Sequence, residues 1–571
     1  MQDPREVAGA LDETVLLLSL SQGNAWKARA YRRGAELVRS LGEELGDLIV
    51  QGELEQVEGI GPSLSKQIAQ LWNTGSSSLL ERLRAEHPPG TAELARVPGM
   101  TVRRIAAVQA LQITSVEALA EACRAGRVRK LPRFGEKTEQ RLLAAIEQMK
   151  APPEPVRSML LVQALPLAER LGEIARRAEG VERVTNAGAL RRGLEQIDEL
   201  DLLVTTAEPE RVWQTLERSP LVLNAKRAEQ RAQLRSAVPL RLHWASSESF
   251  GAAQVMATGP AAHVHALQQR ALVRGLTLNA SGLRATDSGR LHGTPDERAL
   301  YGALDCAYVP PELRDAERAL APAENGEPRA LLEPSDIRGA VHCHTVYSDG
   351  KHTIEAMAHA AAALGMQYIT ITDHSPSAHY AGGVTLDRLK QQWDEIGETQ
   401  QRVPIRILRG VESDILADGS LDYPDAVLEQ LDVVIASIHA RHRMSREAMT
   451  QRLVQAMRKP IFKIWGHALG RLLGHRDPID CDVLAVLDAL AESRGAIEIN
   501  ADGHRLDLPP QWIPPARERA IPFVISVDAH STRGLGVWPL GVTMARRGGV
   551  TRDEVLNTLD ADAFAMRVRP T

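Results

Sequence analysis

The stretch His342-Cys343-His344-Thr345-Val346-Tyr347-Ser348-Asp349-Gly350 decides how this chain is read. On extended backbone, residues i and i+2 point to the same face, so His342 and His344 can grip one ion together; a helix would turn them apart. Ligand-type side chains recur downstream at His374, Glu412, His439, His467, Asp528 and His530. His439 closes the apolar run Val433-Val434-Ile435-Ala436-Ser437-Ile438, and Asp528 and His530 close another that begins at Ile521. Repeated ligands at the C-terminal ends of strands predict the active face of a β/α-barrel. One histidine alone would read as a hydrogen-bonded core residue, but nine such positions predict a polynuclear metal centre that hydrolyses phosphoesters. Imidazole and carboxylate donors without matched thiolates suit Mn²⁺, Zn²⁺ or Fe rather than Ca²⁺. His352, His359, His442, His475 and His504 are read as non-ligands.

Six segments, His342 to Gly350, Thr372 to His374, Gly410 to Glu412, Ser437 to His439, Gly466 to Arg471 and Asp528 to His530, together resemble the signatures of the polymerase and histidinol phosphatase (PHP) domain. The resemblance implies a distorted (β/α)7 barrel and three divalent ions, with Mn²⁺ favoured because the family's nucleases are typically manganese-dependent. It places one ion on His342, His344, Glu412 and Asp528, a second on Glu412, His439 and His467, and a third on Asp349, His374 and His530. Arg443 and Arg471 are the candidates to touch substrate phosphate, because a guanidinium fork matches phosphate oxygens. Ala340 stands where the family usually has Asp, which leaves that position without an orienting carboxylate.

At 571 residues the chain predicts three or four domains. A net charge of −5 with mixed signs excludes a global field that steers the protein to an anionic polymer, so any nucleic-acid contact must be local. Four cysteines, Cys123, Cys306, Cys343 and Cys481, scattered without paired spacing, fit a reducing cytoplasm and neither a disulfide framework nor a Cys-type zinc site. No signal-peptide pattern and no apolar span of about 20 residues is present, so the expectation is a soluble, cytoplasmic, monomeric protein with no membrane partner.

Upstream, residues 1–150 read as helical, broken by Gly and Pro. Gly59-Ile60-Gly61 before Leu64 resembles a helix-hairpin-helix turn, which offers backbone N–H groups at a helix N-terminus to a DNA phosphate. Weaker echoes follow at Val97 to Thr101 and Leu131 to Lys137. Gly188 to Glu195, Glu199-Leu200-Asp201, Val238 to Arg241, Ser249 to Ala253, Thr258-Gly259 and Pro310 to Arg314 complete a resemblance, over nearly the whole chain, to bacterial family X DNA polymerases with a C-terminal PHP domain. That resemblance implies a helix-hairpin-helix DNA-binding domain (1–88), a fingers-like helical domain (89–151), an α+β nucleotidyltransferase palm (152–250), a thumb (251–320), a linker (321–335) and the PHP domain (336–571).

The polymerase motifs are altered where chemistry would occur. The family's three Mg²⁺-binding aspartates correspond to Glu199, Asp201 and Pro239, and Pro239 has no side-chain ligand, so Mg²⁺ binding and synthesis at the palm are expected to be weak or absent. Ala189 replaces a phosphate-binding Ser beside Arg191 and Arg192, and Met256-Ala257 replace an aromatic pair. Gln67 stands where lyase relatives carry a Schiff-base lysine, which excludes imine chemistry there. The expected function is a DNA-repair-type, metal-dependent 3′–5′ exonuclease or 3′-end-processing enzyme acting on gapped, nicked or 3′-ended DNA and found with the nucleoid, abasic-site cleavage being a further activity of the same centre. The alternatives are an active gap-filling polymerase with a PHP nuclease, a small-molecule phosphatase and a non-enzymatic DNA-binding scaffold.

Overall fold

The computed structural model describes residues 4–20, 25–41, 45, 48–49, 54–57, 60–87, 90–95, 97, 99–131, 134–150, 158–236, 238–315, 320 and 330–570. It divides into two compact units, Met1–Pro155 and Val156–Thr571. Among the described residues no helix is long and apolar enough to cross a membrane.

In the first unit two all-helical cores form. Helices Pro4–Leu20, Ala25–Leu41, Pro62–Thr74 and Ser78–Glu86 bury Leu11, Tyr31, Ile60, Leu64 and Ile68. Thr91–Ala95, Val102–Gln109, Val116–Arg124 and Glu136–Lys150 close around Ile105, Leu119, Phe134 and Ile146. Ser77 and Ser115 cap their helices by accepting from the N–H groups of Leu80 and Ala118. Pro62 occupies the first helical position after Gly61, where its missing N–H costs nothing. In the hairpin turn, Ile60 is buried and Gly61 exposed, while Gly59 lies outside the described residues, as do Pro132, Arg133 and residues 151–155 and 321–329.

The second unit begins with the palm. Strands β1 (Val181–Asn186), β2 (Leu200–Thr206), β3 (Val222–Lys226), β4 (Arg231–Leu234) and β5 (Pro239–Ala245) form a sheet of order β1-β2-β5-β4-β3, in which only β2 and β5 run parallel. Pro239 is tolerated because it is the first residue of its strand, where proline is commonly found. The thumb packs helices Phe250–Thr258, Ala261–Val273 and Glu297–Ala303 on a three-stranded sheet around a core of its own.

Seven parallel strands then close a barrel: β6 (Gly339–Cys343), β7 (Tyr368–Ile371), β8 (Arg406–Asp414), β9 (Val433–Ser437), β10 (Lys463–Trp465), β11 (Gly495–Asn500) and β12 (Phe523–Ala529). Their residues are buried on both faces almost throughout, which is why these segments read as continuous apolar runs rather than alternating ones. Inside the barrel, Tyr368, Leu408, Val433, Ile435 and Ile464 pack with Phe564 of the C-terminal helix Ala561–Val568. Palm and barrel share one core, which runs from Leu161, Val204 and Leu240 to Ile371, Val434 and Ile499.

Candidate metal centre and palm cleft

The nine ligand-type residues converge at the C-terminal ends of the strands. One group joins His344, Asp349, His374 and His530, a second His342, His344 and Glu412, a third His342, His467 and Asp528, and a fourth His374, Glu412 and His439; ligand atoms within each group lie within 4.8 Å of one another. Glu412 is the hub. Its Oε1 lies 2.8 Å from Nε2 of His467, 3.2 Å from Nε2 of His439 and 3.3 Å from Nε2 of His342, and its Oε2 lies 2.9 Å from Nδ1 of His374. None of the five histidines set aside in the sequence belongs to these groups.

Local backbone explains how the ligands face inward. A regular strand would align His342 and His344 on one face; instead the ladders shift register between Ala340 and Cys343, and His342 has φ +69°. This bulge turns both imidazoles into the centre while Cys343 packs into the apolar core. Asp528 and His467 also have positive φ, +48° and +24°. Gly466 is needed beside His467 because a Cβ there would lie 2.4 Å from Ile435 Cγ2 and Ser437 Oγ.

A shell of acceptors holds the imidazoles in one orientation. Nδ1 of His342 lies 2.7 Å from Glu498 Oε2, Nδ1 of His439 2.9 Å from Asp414 Oδ1, and Nδ1 of His530 2.9 Å from the Asp528 carbonyl. Each contact places a ring N–H outward and leaves Nε2 for the centre. Glu498 thereby supplies an orienting carboxylate that Ala340 cannot. Asp373 accepts from the N–H of Thr345 and the hydroxyls of Thr345 and Ser348, which pins the loop carrying Asp349. Sequence reasoning missed these partners, although Glu498 and Asn500 within the apolar strand β11, and Asp414 two residues beyond Glu412, carry the same period-two signal as the ligands.

The electrostatics are those of a site built for cations. Burial would lower the His342 imidazole, yet Glu498, Glu412 and Asp528 raise it well above its ordinary value. Against the same burial, Glu412 and Asp349 raise His374 to about 10. His344, fully buried, is pushed down to about 3 by desolvation and then by His530 and His374. Nε2 of His342, both nitrogens of His344, Nδ1 of His374, Nδ1 of His467 and both oxygens of Glu412 are buried and make no hydrogen bond. Such orphaned atoms are costly unless a ligand satisfies them, so the donor set fits divalent ions.

Of the two arginines proposed for substrate, Arg443 is exposed in the loop after His439. Arg471 is committed elsewhere: its Nη2 and Nη1 donate to Glu195 of the palm at 2.7 and 3.3 Å, and Nη2 also reaches the Leu506 carbonyl. A different arginine, Arg505, stands at the centre, with Nε 3.3 Å from Asp528 Oδ2.

In the palm, a cleft of about 990 Å³ is lined by Arg192, Asp198, Glu199, Asp201, Arg241 and His243, among others. Glu199 is bound by Arg231 at 2.6 and 3.2 Å, and Asp201 Oδ1 lies 2.7 Å from Nε2 of His243. Arg191 is paired with Glu297 at 2.7 and 2.8 Å, and Arg192 with Asp315 at 3.0 Å. Among the described residues no metal-type group of three side chains occurs here.

Four family models match the chain: a PHP domain over residues 340–502, a DNA polymerase beta thumb over 253–315, a helix-hairpin-helix domain over 3–77 and a SAM-like helix-hairpin-helix tandem over 94–148. The last takes in both echoes of the first hairpin. A Bacillus subtilis protein named DNA polymerase/3′-5′ exonuclease PolX is 31% identical over 576 residues, covering 99% of each chain. A probable phosphatase of Thermoanaerobacter is 30% identical over 229 residues, 38% of this chain and 89% of its own. One of Aliivibrio fischeri is 33% identical over 172 residues, 29% of this chain and 63% of its own. With hairpins, thumb and closed barrel all in place, and with similarity that runs from end to end, the chain belongs to the bacterial family X DNA polymerases that carry a C-terminal PHP domain.

Proposed function

We propose that this chain is a metal-dependent DNA phosphodiesterase, a 3′–5′ exonuclease that processes 3′ ends at gaps and nicks, on a polymerase scaffold whose palm no longer sustains synthesis. The observation that carries the reading is the convergence of nine ligand-type residues around buried nitrogens and oxygens that make no hydrogen bond. The exonuclease named in the end-to-end relative supports the polarity.

His342, His344, Glu412 and Asp528 would hold one divalent ion, Glu412, His439 and His467 a second, and Asp349 and His530 a third with His374, which also reaches Glu412. Mn²⁺ is the favoured ion, with Zn²⁺ or Fe compatible with the same donors. When bound, such ions orient the phosphate and offset the charge that builds on the leaving oxygen. The chain's own part is orientation: Glu498, Asp414 and the Asp528 carbonyl fix the imidazoles, and Asn500 donates to both Glu498 and Asp528, at 2.7 and 3.2 Å. The first unit contributes DNA-backbone binding through its hairpins.

For the palm, Pro239 offers no carboxylate, Glu199 is neutralised by Arg231, and Asp201 is held by His243. The test is to mix a labelled primer–template, all four dNTPs and Mn²⁺ with the chain and with His344→Ala. Shortening by the parent and neither shortening nor extension by the variant is expected. Robust dNTP incorporation by His344→Ala, lost when Asp201→Ala is added, would overturn the palm assignment.

A further inference from the structure

Two side chains at the mouth of the metal centre take no part in the ligand groups. Tyr380, in the turn His379–Ala381, is 70% exposed, yet its ring centroid lies 6.0 Å from that of His374 and 6.1 Å from that of His439. Arg505, in the loop after β11, spends Nε on Asp528, while its Nη1 is buried and makes no hydrogen bond. Both stand against ligand-type residues of the same centre, Tyr380 against His374 and His439 and Arg505 against Asp528. Partial desolvation and then Glu412, Asp414 and Asp349 raise the Tyr380 phenol, and the Arg505 guanidinium acts against them.

The end of a DNA strand offers a flat base one sugar away from a phosphate. An aromatic face binds any base by stacking, without reading its sequence. An unpaired guanidinium N–H suits a phosphate oxygen. An exposed tyrosine against a cluster of imidazoles and a half-used arginine on a ligand carboxylate therefore match the two halves of one terminal nucleotide.

We propose that Tyr380 and Arg505 form the subsite for the terminal nucleotide, Tyr380 stacking on its base and Nη1 of Arg505 donating to the phosphate that is cut. The inference rests on the nuclease reading and deepens it: the centre takes base-bearing ends in preference to base-free ones.

The test uses the full chain loaded with Mn²⁺ and two 5′-labelled oligonucleotides that differ only in the last residue, a nucleotide or a base-free tetrahydrofuran analogue. Binding of dAMP against deoxyribose 5-phosphate, followed by calorimetry, gives a second readout that needs no turnover. The parent is expected to favour the base by about tenfold in both assays, a ratio that falls close to one in Tyr380→Ala through KM and persists in Tyr380→Trp. Arg505→Ala should lower kcat/KM for both ends by about tenfold or more with metal content unchanged, and Arg505→Lys should recover part of it. A parental base preference that survives Tyr380→Ala, or metal loss in Arg505→Ala, overturns the subsite while leaving the nuclease reading intact. Conversely, dAMP preference that is lost in Tyr380→Ala, in a chain that digests neither oligonucleotide, keeps the subsite and sinks the nuclease reading.

Discussion

His344 shows why a single side chain can carry so much of this site. It is fully buried, both ring nitrogens lack a hydrogen bond, and desolvation with the neighbouring imidazoles of His530 and His374 keeps it neutral. A neutral buried imidazole with free nitrogens is a metal ligand in waiting. His344→Ala and Asp528→Ala should each remove bound metal and lower DNA digestion by about 100-fold or more, since the ions these side chains would hold orient the phosphate and offset the charge on the leaving oxygen. Elemental analysis beside a labelled-DNA assay checks this, and full metal content in either variant would contradict it. Asp201 sits at the opposite extreme, with an oxygen already taken by His243. Asp201→Ala and Glu199→Ala should leave DNA digestion within about twofold of the parent, measured on the same labelled substrate, because neither side chain belongs to the ligand groups.

At the scale of elements, the turn that follows β10 joins the palm to the nuclease centre. His467 and Arg471 lie on this turn, and the Arg471 side chain, only 9% exposed, is clasped by Glu195. Asp507 holds the same turn by accepting from the N–H groups of Leu469 and Arg471 at 3.1 and 3.3 Å. The loop that carries Arg505 also rests on the palm, at Gly503, where a Cβ would lie 2.3 Å from Val162. Removing one partner of this partly buried ion pair leaves the other without its acceptor and costs on the order of 1–3 kcal/mol. Glu195→Ala should therefore lower the melting temperature and weaken metal retention in a chelator competition, whereas Glu195→Asp should keep most of both. Unchanged metal retention in Glu195→Ala would show that the palm is a bystander.

Across the whole molecule, charge is organised by local pairing rather than by a global field. Glu297 joins palm and thumb by bonding Arg191 and Arg314, the latter with a fully buried side chain. Burial alone would raise the Glu297 carboxyl, but hydrogen bonds and charge from the two arginines bring it down to about 2. Because the folded value is depressed, its stabilising share is complete above the ordinary value of 4.5 and drains away as pH falls from there towards 2. Melting temperatures of the chain and of Glu297→Gln should thus differ most near neutrality and converge in acid. DNA affinity should depend on the first unit, where Arg29, Arg32 and Arg33 are exposed on helix Ala25–Leu41. Removing residues 1–150 should weaken binding to gapped DNA and flatten its salt dependence, since fewer counterions are released. Equal affinity of truncated and full chains at matched salt would rule that out.

The nine side chains that gather at the strand ends, the barrel that carries them and the hairpins were all legible in the sequence. Ligands at strand ends, apolar runs and Gly-x-Gly turns are short-range patterns, and Pro239 lacks a carboxylate in any fold. Tertiary structure alone decided what depends on contacts between distant segments. It replaced a regular strand by a bulge at His342, set Glu498 against the His342 ring, and placed Tyr380 beside His374 and His439 and Arg505 beside Asp528. It also turned Arg471 from the substrate to Glu195, 276 residues away in the chain. An arginine's choice between a phosphate and a carboxylate depends on which acceptor the fold brings within about 3 Å, and no local spacing encodes that.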